Sequence, residues 1–201
     1  MEKEYSGHLI VVMGPTGSGK GTVMSHAHTV FPDLHETISC TTRSPRPGEQ
    51  NGVEYYFLTP EEFTERIEVG DFIEWAWFGS NRYGTLKSEV VPRLEAGELV
   101  LIEIELQGVQ QLLKLLPRGS MTVVYIEAGS WENLVARVRK RAPISEEELA
   151  SRHERYLIEV QAKPLADIVI NNTTEDFTTA QEEFISIIQS IKDKFITHHE
   201  Y

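Results

Sequence analysis

The stretch HLIVVMGPTGSGKGT, His8–Thr22, decides the fold class of this chain of 201 residues. The apolar run His8–Met13 predicts a strand that is buried on both faces. GPTGSGK fits the pattern GxxxxGK, whose glycines let main-chain N–H groups surround phosphate oxygens while the lysine adds a full positive charge. A strand, this loop and then a helical segment predict a nucleoside triphosphate site made of Gly14, Pro15, Thr16, Gly17, Ser18, Gly19, Lys20, Gly21 and Thr22.

The residue after Lys20 departs from the usual phosphate loop. Gly21 stands where a Ser or Thr hydroxyl commonly holds Mg²⁺, and Thr22 is one place too late to replace it. Lys-Gly-Thr resembles the loop of adenylate kinases, in which the metal ion is held mainly by phosphates and water. The departure therefore does not argue against activity, but it argues against a motor or a GTPase-type switch.

Further apolar runs predict more buried strands with helices between them. The runs are Leu99–Ile104, Met121–Ile126 and Ile168–Ile170. Ser130 can cap a helix through Arg141, and Ser145 with Glu148 forms a capping box for a helix that runs to about Ala162. The alternation predicts an α/β fold with a mostly parallel sheet flanked by helices.

Two segments interrupt this alternation. Residues 39–85 contain short strand-like pieces, Glu54–Leu58 and Phe72–Phe78, and a short helix opened by Thr59 and Pro60, so they predict a β-rich insertion. Residues 131–162 predict a basic helical insertion. The sequence thus predicts one domain with a core of about 6–38, 86–130 and 163–201.

Composition and charge exclude several classes of protein. The chain is 40% hydrophobic, with 31 acidic and 19 basic residues and a net charge of −12. No run of 18 apolar residues exists, which excludes a membrane span. Binding to a nucleic-acid backbone needs a positive footprint, and an acidic chain without a basic block is a poor candidate for it, so we expect no nucleic-acid partner. With one cysteine, Cys40, and a polar start, we expect a cytoplasmic protein without disulfides. The oligomeric state stays open, with a homodimer as one alternative.

Four motifs in the β-rich insertion carry a family resemblance. TTRSPRPGE (Thr41–Glu49), NGVEYYF (Asn51–Phe57), FIEW (Phe72–Trp75) and NRYGT (Asn81–Thr85) closely resemble guanylate kinases in order and spacing. The resemblance extends from His8 to about Ile188. It implies a P-loop NTPase core, an inserted β-rich GMP-binding region and a helical lid. It also implies ATP-dependent phosphorylation of GMP, and of dGMP, with Mg²⁺.

The resemblance also implies roles by position. The GMP phosphate is expected on Arg43, Arg46, Tyr55 and Tyr83, and the guanine on Ser39, Glu74, Thr85 and Glu105. Lys20, Arg43, Arg137, Arg141 and Arg152 are expected to be catalytic, the last three as lid and hinge arginines that reach the transferring phosphoryl group. Asn171 is expected beside adenine, and Glu103 is expected to hold Mg²⁺ through water.

The residue types suit these roles. Arginine binds phosphate in a planar, bidentate manner. Glu74 can accept from guanine N1–H and N2–H₂ while Ser39 donates to O6, whereas adenine would leave the buried carboxylate unpaired. Trp75 and Trp77 point to the other face of the Glu74 strand and are predicted to pack in a core or between domains.

In the lid, Arg137 and Arg141 share one helix face, and Arg139 and Lys140 are expected in solvent. Glu103 and Glu105 stand where the family has aspartates, so we expect altered affinity rather than loss of function. Two other readings stay open: a kinase for another nucleoside monophosphate or a phosphorylated sugar, and a non-catalytic binding module.

Overall fold

The computed structural model describes residues 4–141, 144–173 and 176–196. Its strands are β1 (His8–Met13), β2 (His35–Glu36), β3 (Cys40–Thr41), β4 (Tyr56–Phe57), β5 (Phe72–Phe78), β6 (Asn81–Leu86), β7 (Leu99–Glu103), β8 (Met121–Glu127) and β9 (Ile168–Asn171). Its α-helices are α1 (Lys20–Val30), α2 (Pro60–Glu68), α3 (Lys87–Glu95), α4 (Leu106–Leu115), α5 (Trp131–Arg141), α6 (Glu146–Glu159) and α7 (Thr178–Ile196). Arg118–Ser120 and Val160–Leu165 are 3₁₀ helices.

The strands form two sheets. The larger has five strands in the order β2-β7-β1-β8-β9, with β2 parallel to β7 and β8 parallel to β9. The smaller has four strands in the order β4-β3-β6-β5, in which β3 is parallel to β4 and β6 is antiparallel to both of its neighbours. The predicted α/β class is confirmed, and so is the start of each of the four predicted strands. The burial predicted for Ile168–Ile170 was wrong at Val169, which is 37% exposed.

Contacts between Cα atoms divide the chain into two units. The first comprises residues up to Leu9, His35–Ile102 and Gln107–Met121, and the second comprises Ile10–Leu34, Glu103–Leu106 and the chain from Thr122. In the first unit, Cys40, Phe63 and Phe72 form the centre of an apolar cluster, with the Phe63 and Phe72 rings stacked 4.4 Å apart. The boundaries of the core, insertion and lid stay predictions.

Local signals explain where two of the helices begin. Thr59 accepts a hydrogen bond from the main-chain N–H of Glu62, and the Glu62 carboxylate accepts from the main-chain N–H of Thr59, so α2 opens with the complete capping box. Ser145 accepts from Glu148 N at the start of α6. The last turn predicted for α6 is instead a 3₁₀ helix, because Pro164 lacks an N–H and cannot continue an α-helix.

The sequence did not predict every feature of the β-rich region. Strand β6 was missed, and the strand predicted over Glu54–Leu58 is reduced to Tyr56–Phe57. The prediction that Trp77 packs away from solvent was wrong: the residue is 55% exposed, with the Arg82 guanidinium 5.4 Å from its ring. Among the described residues, no helix is long and apolar enough to cross a membrane.

Candidate active site

Three residues of the first unit form a polar cluster that we call the base set: Glu74 and Thr85, which are buried, and Ser39, which is partly exposed. Glu74 on β5 lies opposite Thr85 on β6, and its carboxylate accepts hydrogen bonds from the hydroxyl and the main-chain N–H of Thr85. Ser39 Oγ is 3.4 Å from Thr85 Oγ1. The structure thus brings together three of the four residues predicted to contact guanine.

A β-bulge places Glu74 in this cluster. Phe72 pairs with Leu86 and Glu74 with Thr85, so one residue of β5, Ile73, is extra in the ladder. Glu74 is 6% exposed. Burial raises the pKa of its carboxyl to about 7, against the opposing hydrogen bonds from Thr85. A carboxylate held here needs donors from a ligand to compensate for lost water.

The residues predicted for the acceptor phosphate form a second group in the same unit, the phosphate set of Arg43, Arg46, Tyr55 and Tyr83. The Arg43 guanidinium lies 5.3 Å from the Tyr55 ring centre and hydrogen-bonds with Tyr83. The rings of Tyr55 and Tyr83 are 5.9 Å apart, edge to face. A cation flanked by phenol groups is suited to a phosphate monoester.

Glu49 holds the phosphate set together, and the sequence analysis gave it no role. Its two carboxylate oxygens accept from the Arg43 guanidinium at 2.9 and 3.0 Å, and one of them also accepts from Arg46 N at 2.6 Å. Hydrogen bonds from Arg43 lower the pKa of Glu49. Its position at the end of the TTRSPRPGE motif was the available signal, since an acid there can close the arginine-rich turn.

In the second unit, the phosphate loop has the predicted form. Gly19 adopts a left-handed φ of 95° directly before α1. Lys20 Nζ donates to Gly14 O at 2.8 Å and Pro15 O at 3.3 Å, and it lies 3.5 Å from the Glu103 carboxylate. The lysine therefore spans the concave loop, with a carboxylate from the end of β7 beside it.

A second carboxylate contacts this loop from the end of α6. Glu159 is 8% exposed, and its oxygens accept from Thr16 N at 2.9 Å and Thr16 Oγ1 at 3.0 Å. No sequence signal identified Glu159. Burial, and next the negative charge of Glu159, raise the pKa of Glu105 to about 7. The predicted contact of Glu105 with guanine stays a prediction.

The arginines of α5 and α6 have separate local acceptors. Arg137 donates to Asn172 O and lies 5.5 Å from the Phe177 ring centre. Arg152 donates to Glu148 at 2.8 and 3.2 Å, one turn earlier on α6. The side chain of Arg141 lies outside the described part of the chain, and its role stays a prediction. Arg139 is paired with Glu146 at the surface, as expected for a solvated residue.

Two adjacent asparagines, the last residue of β9 and the residue after it, have different surroundings. Asn171, the predicted adenine contact, is exposed, and its Oδ1 accepts from Thr173 N in a local turn. Asn172 is 1% exposed, and its Nδ2 donates to Ser18 O in the phosphate loop at 2.6 Å. Asn172 is therefore the asparagine that contacts the loop.

A family model described as Guanylate kinase matches residues 6–190 of the chain. The chain belongs to the guanylate kinase family. Guanylate kinase of Streptomyces kasugaensis is 42% identical over 83% of this chain and 80% of its own length. Guanylate kinase of Trichormus variabilis is 42% identical over 89% of this chain and 88% of its own length. The predicted family resemblance is confirmed.

A solved structure agrees on the fold. Guanylate kinase from Anaplasma phagocytophilum superposes with a TM-score of 0.71, covering 93% of this chain and 87% of that one, at 24% identity. The P-loop α/β class of this chain is therefore shown by its own sheets, by the family match and by this likeness. As a member of the family it is a kinase.

Proposed function

We propose that this chain transfers the γ-phosphoryl group of ATP to GMP, and to dGMP, through the residues of the base set, the phosphate set and the phosphate loop. ATP-dependent conversion of GMP to GDP is the activity of the family to which the chain belongs. The observation that carries the residue assignment is the buried Glu74 carboxylate beside Thr85 and Ser39.

The base set suits guanine and opposes adenine. In its ionised form Glu74 accepts from the N1–H and N2–H₂ donors of guanine, and Ser39 can donate to O6. Adenine presents a lone pair at N1 and lacks the 2-amine, so it would leave the buried carboxylate without partners. Buried polar groups left unpaired reject analogues strongly.

In the phosphate set, Arg43 is the residue suited to the GMP phosphate, since Tyr55, Tyr83 and Glu49 already fix its orientation. An arginine held in place loses less freedom when it binds. The acceptor oxygen of GMP is already an anion, so no general base is required. The protein's contribution is to orient it and to balance its charge.

For the donor, the main-chain N–H groups of the loop, the start of α1 and Lys20 are suited to the ATP phosphates. Arg137, Arg141 and Arg152 are proposed to stabilise the charge on the moving phosphoryl group. In that step Arg137 would give up its hydrogen bond to Asn172 O and donate to phosphate oxygens instead. Arg152 would do the same with its hydrogen bond to Glu148.

Glu103 is suited to Mg²⁺. Its side chain is 45% exposed at the end of β7, beside Lys20, and carboxylate oxygen together with phosphates and water is the ligand set that Mg²⁺ prefers. When bound, the metal would neutralise charge on the donor phosphates. Glu103 would hold it through water, with one methylene more than the aspartate of the family pattern.

Coupled ADP release with Mg-ATP tests this proposal, with GMP, dGMP, AMP, UMP and CMP offered separately. Turnover confined to GMP and dGMP is expected. Equal turnover with AMP would contradict the assignment of Glu74 and Ser39, and binding of GMP without any turnover would indicate a binding module. Lys20→Met serves as the inactive control, with Lys114→Met, exposed on α4, as its matched surface change.

A further inference from the structure

A carboxylate outside the base and phosphate sets accepts two hydrogen bonds from separate segments of the first unit, and a histidine lies beside it. Glu89 lies on α3 and its side chain is 15% exposed. Its Oε1 accepts from the Tyr56 hydroxyl at 3.1 Å, and its Oε2 accepts from Ile38 N at 3.2 Å. His35 Nε2 lies 3.4 Å from the same Oε2. Burying a carboxylate is costly unless it is hydrogen-bonded or paired, so Glu89 stays buried because these groups surround it.

Two of these contacts converge on the main chain beside Ser39. Ile38 immediately precedes Ser39, and its N–H is fixed by Glu89. Tyr56, whose hydroxyl is fixed by the same carboxylate, donates its main-chain N–H to Ser39 O at 2.9 Å. The backbone is thus held on both sides of the Ser39 side chain, whose Oγ lies beside Thr85.

We propose that Glu89 is a positioning residue for guanine recognition, which orients Ser39 through its hydrogen bonds to Ile38 N and the Tyr56 hydroxyl. This inference rests on the proposed role of Ser39 in reading GMP. Glu89 itself needs no contact with the nucleotide. Because it acts on the acceptor side, it affects the KM for GMP and leaves the KM for ATP unchanged.

The donors around Glu89 make a conservative rescue available. Burial, and next the charge of Arg93, lower the pKa of His35, so this histidine is neutral at neutral pH. The Ile38 N–H and the Tyr56 hydroxyl are also neutral. A glutamine can replace a carboxylate among neutral groups, because its oxygen accepts from Ile38 N while its amide donates to the Tyr56 oxygen.

Steady-state kinetics of the full chain with three variants test the proposal. Glu89→Met removes both acceptors at similar volume, and we expect a KM for GMP raised roughly tenfold, the effect of about one to two hydrogen bonds. We expect kcat and the KM for ATP within about twofold of wild type. Glu89→Gln should keep a KM for GMP much closer to that of wild type than Glu89→Met does. Glu95→Met, exposed on the same helix, is the matched control.

A double-mutant cycle with Ser39→Ala separates positioning from a general loss of stability. If Glu89 acts through Ser39, Glu89→Met should raise the KM for GMP by less than about threefold in the Ser39→Ala background. Full additivity would overturn the inference, and so would an unchanged KM for GMP in Glu89→Met.

If Glu89→Met does not fold, Tyr56→Phe replaces it as the test. We expect this variant to raise the KM for GMP about threefold, and an unchanged KM for GMP would contradict the inference. Absence of GMP turnover in the wild type would instead overturn the proposed function.

Discussion

The phosphate loop and the base set recognise their ligands with different parts of the chain. In the loop, the groups suited to ATP are main-chain N–H donors, a left-handed glycine and the lysine that opens α1. In the base set, the groups are side chains from three separate segments, brought together by the register of β5 against β6. One region is specified by a short run of sequence and the other by a sheet.

This difference teaches what each region tolerates. A loop built from backbone is sensitive to any change that alters its path and indifferent to changes on its open side. A cluster built from side chains is sensitive to the loss of one functional group and also to residues, such as Glu89, that hold its backbone.

The largest effect is expected in the loop, from a matched pair of glycines. A Cβ on Gly19 would lie 2.4 Å from Asn172 Nδ2 at a φ of 95°, so Gly19→Ala must distort the loop. We expect kcat/KM for ATP to fall by roughly 100-fold or more. A Cβ on Gly21 would have nothing within 4 Å, so Gly21→Ala should keep near wild-type kinetics. Equal losses in both variants would contradict the backbone account.

The next effect is expected in the base set. Glu74→Gln keeps the shape but replaces an acceptor by a donor, and we expect the KM for GMP to rise roughly 10- to 100-fold with little change in the KM for ATP. GMP titration followed by calorimetry gives the affinity directly. Glu65→Gln, exposed on α2, is the control. A variant that binds GMP as well as wild type would exclude Glu74 from base recognition.

A smaller effect distinguishes the two asparagines at the end of β9. Asn172→Ala removes the hydrogen bond to Ser18 O that supports the loop, and we expect the KM for ATP to rise about tenfold. Asn171→Ala removes only a bond within its own turn and should change the KM for ATP by less than about twofold. The reverse order would support the adenine contact predicted from sequence for Asn171.

The smallest effect is on stability. The pKa of Glu74 is about 7 in the folded protein, above its ordinary value of 4.5, so between these values the folded state binds more protons than the unfolded state. The contribution of Glu74 to stability is therefore present below pH 4.5 and is lost as pH rises through 7. Glu74→Gln lacks this loss, so the Tm of the variant minus the Tm of wild type should rise by about 5 °C between pH 5 and pH 8. A Tm difference that is the same at both pH values would contradict the raised pKa of Glu74.

The same contrast explains what the sequence could predict. The bounds of β1, the loop and the capped start of α2 follow from local residue order, because each is built from neighbours along the chain. The family motifs also predicted that the chain belongs to the guanylate kinase family. The bulge at Ile73 and the contact of Asn172 with Ser18 depend on register and strand ends. Such contacts leave no periodic signal, and Trp77 was misplaced for the same reason.

The most direct measurement titrates two ligands, GMP and a non-hydrolysable ATP analogue, into two variants, Gly19→Ala and Glu74→Gln. The account predicts a crossed result: Gly19→Ala keeps its affinity for GMP and loses affinity for the ATP analogue, while Glu74→Gln does the opposite. Loss of both affinities in either variant, at a Tm close to that of wild type, would contradict the claim that ATP is bound through the backbone of the loop and GMP through side chains.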